Sequence, residues 1–201
     1  MKILATKKPF DHILIKDLYS KEELKLMWRE TEFLFEKLGD ENATSAATDD
    51  DGARKKSGRG VFLDDVYKNR AVSDLLNISR KIFHCEEMNN EIEKMNSIFF
   101  EYFTKTNWDS TMLQYYEDGH YYKQHQDESF FTAIYTFYKE PKKFEGGDLY
   151  FEEYNYTLPI RNNQLILFPS IVSHGVTEVT MKQPGYMNGR FSIANLIFWK
   201  L

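Results

Sequence analysis

The C-terminal half of this chain is a succession of short strand-forming runs, each closed by a turn signal, and that rhythm restricts it to a β-sandwich or barrel. Phe130–Tyr138 is rich in Phe, Thr, Ile and Tyr and reads as a strand. A turn at Pro141 follows, then Gly146-Gly147 ahead of Asp148-Leu149-Tyr150-Phe151, which reads as another strand. Paired glycines permit backbone geometry or a close approach that a Cβ would forbid. Gln164–Phe168 reads as a buried strand stopped by Pro169, delivering Ser173 and His174 into a turn. Gly189–Trp199 reads as the closing strand, with Arg190 at its start and Trp199 expected in the core.

Upstream the periodicity changes. Residues 12–16 read as a strand, and Ser20-Lys21-Glu22-Glu23 as a capping box opening a helix that runs to about Leu38. Leu24, Met27, Trp28, Thr31 and Phe35 recur at helical spacing and give that helix one face to pack on a sheet. From Gly39 to Gly60 the composition shifts to Asp, Asn, Ala, Ser, Gly, Lys and Arg, which reads as a mobile loop rather than a linker. Asp65 to Phe83, and Glu86 to about Thr104, read as two helices.

With 201 residues, 42% hydrophobic and 16% aromatic, one well-cored domain is expected. Its organisation would be a helical support over about 1–108, including the loop at about 39–60, and a β core over about 109–201. The formal charge of −5 argues against nucleic acid as a partner, because backbone-phosphate binding needs a clustered basic surface. The single Cys85 excludes an intrachain disulfide framework and suits a reducing compartment. No signal-like segment or membrane-length apolar run occurs, so a soluble cytoplasmic protein is expected.

The polar residues add a chemical constraint. Side chains at i and i+2 of an extended segment share a face about 6–7 Å apart, so His125 and Asp127 can converge on one metal ion. A third ligand must come from elsewhere in the fold, and His174, after the run Leu165–Phe168, is the candidate. Two imidazoles and one carboxylate make the facial triad associated with non-haem Fe(II), with coordination positions left free for oxygen and a co-substrate. A structural zinc site or unrelated polar residues could produce the same three letters.

The order of the surrounding motifs carries the argument further. Tyr116-Glu117-Asp118-Gly119-His120-Tyr121-Tyr122-Lys123-Gln124-His125-Gln126-Asp127 resembles the Tyr-x-x-Gly-x-x-Tyr-x-x-His-x-Asp element of the Fe(II)- and 2-oxoglutarate-dependent dioxygenases, within them the prolyl 4-hydroxylase group. Gly146-Gly147-Asp148-Leu149, Phe168-Pro169, His174-Gly175-Val176 and Arg190-Phe191-Ser192 follow in the family's order. The resemblance is close over the C-terminal half and looser upstream, where His12–Ile15 and Leu18–Glu23 look like the family's first strand and helix.

The resemblance implies an α+β, mainly β fold, a double-stranded β-helix of jelly-roll or cupin type with N-terminal helices packed on one sheet. It implies Fe(II) on His125, Asp127 and His174, with 2-oxoglutarate as co-substrate, O2 as oxidant and ascorbate as reductant. Arg190 would pair with the far carboxylate of 2-oxoglutarate, since its guanidinium is planar and permanently charged. Lys182, in Met181–Asn188, which looks like an inserted hairpin loop, is the rival. Tyr116 and Ser192 would also serve the co-substrate, as would Thr136 or its neighbour Tyr135. Tyr122, Arg54, Ser57 and Arg59 would serve the substrate, the last three because Arg54–Leu63 resembles a flexible segment that folds over a peptide. The implied reaction is hydroxylation of a C–H bond in a prolyl residue of a peptide or protein, with release of succinate and carbon dioxide. Two alternatives stay open: the same chemistry on a free amino acid, another side chain or a nucleobase, and a β-helix protein that binds metal or ligand without turnover.

Overall fold

Alternation along the strands decides which layer each residue joins. In the computed structural model, which describes residues 1–200, β1 (Lys2–Thr6) and β2 (His12–Lys16) precede α1 (Lys21–Leu34). Then come β3 (Lys56–Ser57), β4 (Arg59–Phe62), α2 (Leu63–Val66), α3 (Asp74–Ser79) and α4 (Glu86–Met95). The β core follows as β5 (Trp108–Tyr116), β6 (Tyr121–His125), β7 (Phe131–Phe137), β8 (Leu149–Phe151), β9 (Tyr156–Leu158), β10 (Gln164–Pro169), β11 (His174–Val176) and β12 (Arg190–Phe198). A 7-stranded sheet has the order β1-β2-β10-β7-β12-β5-β4, and a 5-stranded sheet the order β3-β6-β11-β8-β9. Every pairing is antiparallel, and the two sheets form the double-stranded β-helix.

One face of the larger sheet meets the helices. Ile13 and Ile15, Tyr135 and Phe137, Leu165 and Leu167, and Phe191 and Ile193 pack there with Met27, Leu34, Leu75, Ile78 and Met88. Their neighbours Leu14, Ile134, Ile166 and Phe168 turn inward, toward Leu149, Phe151 and Val176 of the smaller sheet. Such period-two partition is the reason β7 and β10 are buried on both faces and read as nearly continuous apolar runs.

The capping box forms as the sequence predicts, Ser20 Oγ accepting from Glu23 N at 3.2 Å and Glu23 Oε2 accepting from Ser20 N at 2.9 Å. The α-helical geometry ends at Leu34, and a 3₁₀ turn carries the chain to Lys37. The two later helices are more broken than periodicity suggests. Asn69 accepts from Ala71 N, and Ser73 accepts from Leu76 N, so side chains restart the helix at α3. Buried Glu30 of α1 holds that restart by accepting from Ser73 Oγ at 2.6 Å and Leu75 N at 2.9 Å. Asn96, in the left-handed conformation, ends α4 short of the expected Thr104.

Three further expectations change. The segment 39–60 is a folded flap: Asp40 caps a 3₁₀ turn at Glu41–Thr44, Gly39 and Gly60 exchange backbone hydrogen bonds, and β3 pairs with β6. Residues 181–188 form no hairpin; Met187 is buried, and Met181 N donates to Asp118 Oδ1. Trp199 lies past the end of β12 and is 50% exposed rather than core. No helix among the described residues is long and apolar enough to cross a membrane.

Candidate active site

The two histidines are brought together by strand pairing. His125 ends β6 and His174 opens β11, and the two are direct partners across the antiparallel ladder. Asp127 lies two residues beyond β6, and one ligand atom from each of the three falls within 4.8 Å of the others.

Backbone acceptors fix the imidazoles. His125 Nδ1 lies 3.0 Å from the Lys123 carbonyl and His174 Nδ1 lies 3.1 Å from that of Val172, each two residues back. A carbonyl can only accept, so each Nδ1 carries a proton and each Nε2 is the nitrogen turned toward Asp127. Those two Nε2 atoms are each 3.6 Å from an oxygen of Asp127. Burial, and then the neighbouring His174, push the His125 pKa well below the usual histidine range, which keeps the ring neutral. One ligand atom from each residue therefore converges on a single point, an arrangement that a divalent cation relieves. Neutral imidazoles with one carboxylate suit non-haem iron, so the residues fit the metal the resemblance implies.

Hydroxyls hold the carboxylate in place. Thr132 Oγ1 donates to Asp127 Oδ2 at 2.6 Å, and Ser170 Oγ, 2.8 Å from Thr132 Oγ1, also meets Ser129 Oγ at 2.7 Å. On the other side, the Tyr122 ring stacks on His125 with centroids 3.6 Å apart, and its hydroxyl accepts from Ala47 N in the flap. One metal-site ring is thus clamped by the flap.

These groups line a cavity of about 290 Å³. At one end Arg190 of β12 is 1% exposed, with Nε donating to Gly147 O at 2.8 Å and Nη1 to Ser192 Oγ at 3.0 Å. Its Nη2 has no hydrogen-bond partner, and Cζ lies 5.0 Å from the centre of the Tyr116 ring. Burial draws its pKa down to about 10, so it stays charged at neutral pH. A buried cation with a free donor beside a cavity is suited to a carboxylate. The other wall, of Phe62, Met112, Ala194, Leu196 and Phe198, is apolar.

The glycine pair shapes the Arg190 end. Gly146 and Gly147 have φ of 70° and 72°. A Cβ on Gly146 would stand 1.9 Å from the Glu178 carbonyl oxygen, and one on Gly147 2.9 Å from Arg190 Cδ. Only glycine lets this turn hold the arginine stem.

His125, Asp127, His174, Tyr116, Tyr122 and Arg190 all line the one cavity. Other expected residues stand elsewhere. Lys182 is exposed, away from the metal triad, beside Lys142 and Asn188. Ser192 is buried and holds Arg190. The Thr136 hydroxyl is spent on backbone, 2.9 Å from Arg161 O and 3.3 Å from Gln164 O, and Tyr135 points into the helical side of the sheet against Tyr19. Arg54 binds Asn42 and the Ala46 carbonyl within the flap, Ser57 pairs with Tyr121, and Arg59 donates to Phe35 O beside the end of α1. None of these four flap and strand residues, Thr136, Arg54, Ser57 and Arg59, lines the cavity, because strand pairing turns or ties each of them away.

Thr132 and Ser170 were not singled out as site residues by the sequence, although Thr132 shares a strand face with Ile134. Lys56 gave no signal either, being one cation in a polar stretch, yet it is 2% exposed.

Comparison with known proteins agrees with this geometry. Residues 111–198 match the 2OG-Fe(II) oxygenase superfamily model. The fold is similar to a prolyl-4-hydroxylase of Pseudomonas putida, with 14% identity over 94% of this chain and 93% of that one and a TM-score of 0.58. A prolyl 4-hydroxylase of Phytophthora capsici shares 15% identity over 94% of this chain and 58% of its own, TM-score 0.56. The viral collagen prolyl hydroxylase of Paramecium bursaria Chlorella virus-1, in its 2OG complex, shares 12% over 92% and 93%, TM-score 0.53. No curated protein matches the chain by sequence. The resemblance to the Fe(II)- and 2-oxoglutarate-dependent dioxygenases holds in the sequence of the β core, and the fold of nearly the whole chain is similar to that of proteins described as prolyl hydroxylases.

Proposed function

We propose that the chain is a single oxygenase domain that holds Fe(II) on His125, Asp127 and His174, takes 2-oxoglutarate as co-substrate, and hydroxylates a prolyl residue of a peptide or protein. The observation that carries the metal assignment is the pair of Nδ1–carbonyl hydrogen bonds, which aim both Nε2 atoms at the Asp127 carboxylate. When bound, iron and 2-oxoglutarate supply with O2 the oxidising power of the reaction, in which 2-oxoglutarate leaves as succinate and carbon dioxide and the substrate gains one oxygen atom.

The protein's own part is binding, orientation and exclusion of water. Arg190 Nη2 offers an unused, fully buried donor for the distal carboxylate of the co-substrate. Tyr116 presses its ring on that guanidinium and fixes its plane. Thr132 keeps one Asp127 oxygen turned toward His174. Ile134 and Val176 line the cavity with apolar surface beside the ligands. For the substrate, the wall of Phe62, Met112, Leu196 and Phe198 offers contact without competing hydrogen bonds, which suits a pyrrolidine ring. The prolyl assignment draws on that wall and on the similarity to proteins described as prolyl hydroxylases.

Two measurements test the reading in sequence. Anaerobic addition of Fe(II) and 2-oxoglutarate should give a visible metal-to-ligand charge-transfer band, which requires the co-substrate to chelate the iron. Its absence defeats the oxygenase reading. Incubation with a proline-rich peptide library, with and without ascorbate, should then show by mass spectrometry a gain of one oxygen atom on proline. A band without any such gain removes the prolyl substrate and leaves the chemistry.

A further inference from the structure

A second buried cation stands against the Tyr116 ring that Arg190 also meets, behind the cavity lining rather than in it. Lys56 of β3, carried by the flap, is 2% exposed, and its ammonium has one hydrogen-bond partner among the described residues, Thr44 Oγ1 at 3.0 Å. Its remaining surroundings are aromatic, with the Tyr116 ring centre at 5.7 Å and that of Tyr122 at 5.6 Å. Among the described residues no carboxylate pairs with it, and Arg190, against the same Tyr116 ring at 5.0 Å, likewise has no acid partner among them and one idle donor. Thr44, which holds the ammonium, lines the cavity together with Tyr116 and Arg190.

Two unpaired buried cations sharing one tyrosine are costly unless an anion joins them. Burial and the like charge of Arg190 draw the Lys56 pKa down to about 7, as expected of a cation whose counter-ion is not supplied by the protein. A buried lysine used only for packing would be satisfied by a methionine. The Thr44 contact and the orphan arginine donor together indicate a ligand with two negative oxygens at this end.

Building on the functional reading above, we propose that Lys56 is a second anchor for the distal carboxylate of 2-oxoglutarate, bracketing it with Arg190, so that the flap seats on the bound co-substrate. Two attachments then tie flap to site, Lys56 to the carboxylate and Ala47 N to the Tyr122 hydroxyl over His125, while the Lys56–Thr44 bond braces the flap itself. Co-substrate loading and flap closure become one event, which would order the roof of the site before substrate arrives.

The test is equilibrium binding to the full chain loaded with redox-inert Mn(II), using 2-oxoglutarate and 2-oxobutyrate, which keeps the chelating 2-oxo acid and lacks the distal carboxylate. Lys56→Met should weaken 2-oxoglutarate about ten- to a hundredfold and leave 2-oxobutyrate within about twofold of the parent. Hydrogen exchange on the unaltered protein needs no variant: 2-oxoglutarate should slow exchange across residues 42–57, and 2-oxobutyrate should not. Equal 2-oxoglutarate affinity in Lys56→Met, equal weakening of both acids, or equal protection by both acids would each overturn the inference. If the unaltered protein binds neither acid, the co-substrate reading fails and takes this inference with it.

Discussion

Replacing Arg190 by Met separates stability from binding. The guanidinium is fully buried, and desolvating an ion costs several kcal/mol. In return it makes two hydrogen bonds, to Gly147 O and Ser192 Oγ, of about 1.5–3 kcal/mol each for a charged donor, and a contact with Tyr116 worth up to roughly 2 kcal/mol. These terms nearly cancel. Methionine fills much of the same volume, and Ser192 keeps its bond to Gln114 Oε1, so the unliganded protein should change in stability by no more than about 1 kcal/mol. Binding has no such compensation. A carboxylate facing the vacated position would lose its two-pronged partner and keep at most Lys56, at a loss of about 3–5 kcal/mol, or roughly two to three and a half powers of ten in Kd. Urea denaturation and titration with 2-oxoglutarate in Mn(II) give the two numbers, and Lys182→Met should alter neither. A variant that binds 2-oxoglutarate within about fivefold of the parent, with stability intact, would refute Arg190 as the anchor.

The remaining predictions concern the shell around the site. Thr132→Val removes the hydroxyl that fixes Asp127 and should weaken metal affinity about 10- to 100-fold in a competition titration, with the fold preserved. Gly146→Ala introduces a Cβ 1.9 Å from a carbonyl oxygen at a φ of 70°, and should cost more than about 2 kcal/mol in urea unfolding. For pH, Lys56 faces Arg190, Tyr116 and Tyr122, with Glu41 the acid acting on it, and titrates near 7 in the free protein. Its charged form is the one a carboxylate binds. Affinity for 2-oxoglutarate should therefore be level below pH about 7 and fall by up to about tenfold per unit above it, a slope that Lys56→Met abolishes.

Period-two patterning and turn residues made β7, β10 and β12 legible, and the capping box made α1 legible, because those signals are local. What escaped is what depends on partners far along the chain. The helix break at Ser73 is stabilised by Glu30, the Asp127 carboxylate is steadied by Thr132 and Ser170, and Lys56 is buried only because β3 pairs with β6. Thr136 and Arg54 sit in plausible sequence positions, yet their polar atoms are consumed by backbone groups and a local asparagine. Arg190 lines the cavity where these do not, because its place at the start of β12 sends it inward, opposite Tyr116.

The pairing of His125 with His174 across β6 and β11 has an engineering consequence. The forty-eight residues between them do not set the metal geometry, since the ladder brings the rings together whatever the length of chain between. The exposed linking turn at Glu152–Asn155 can therefore be lengthened or used for insertions, while a register slip of one residue in β11 would dismantle the centre outright. The site is heritable through the sheet, and the loops around it are free to diverge.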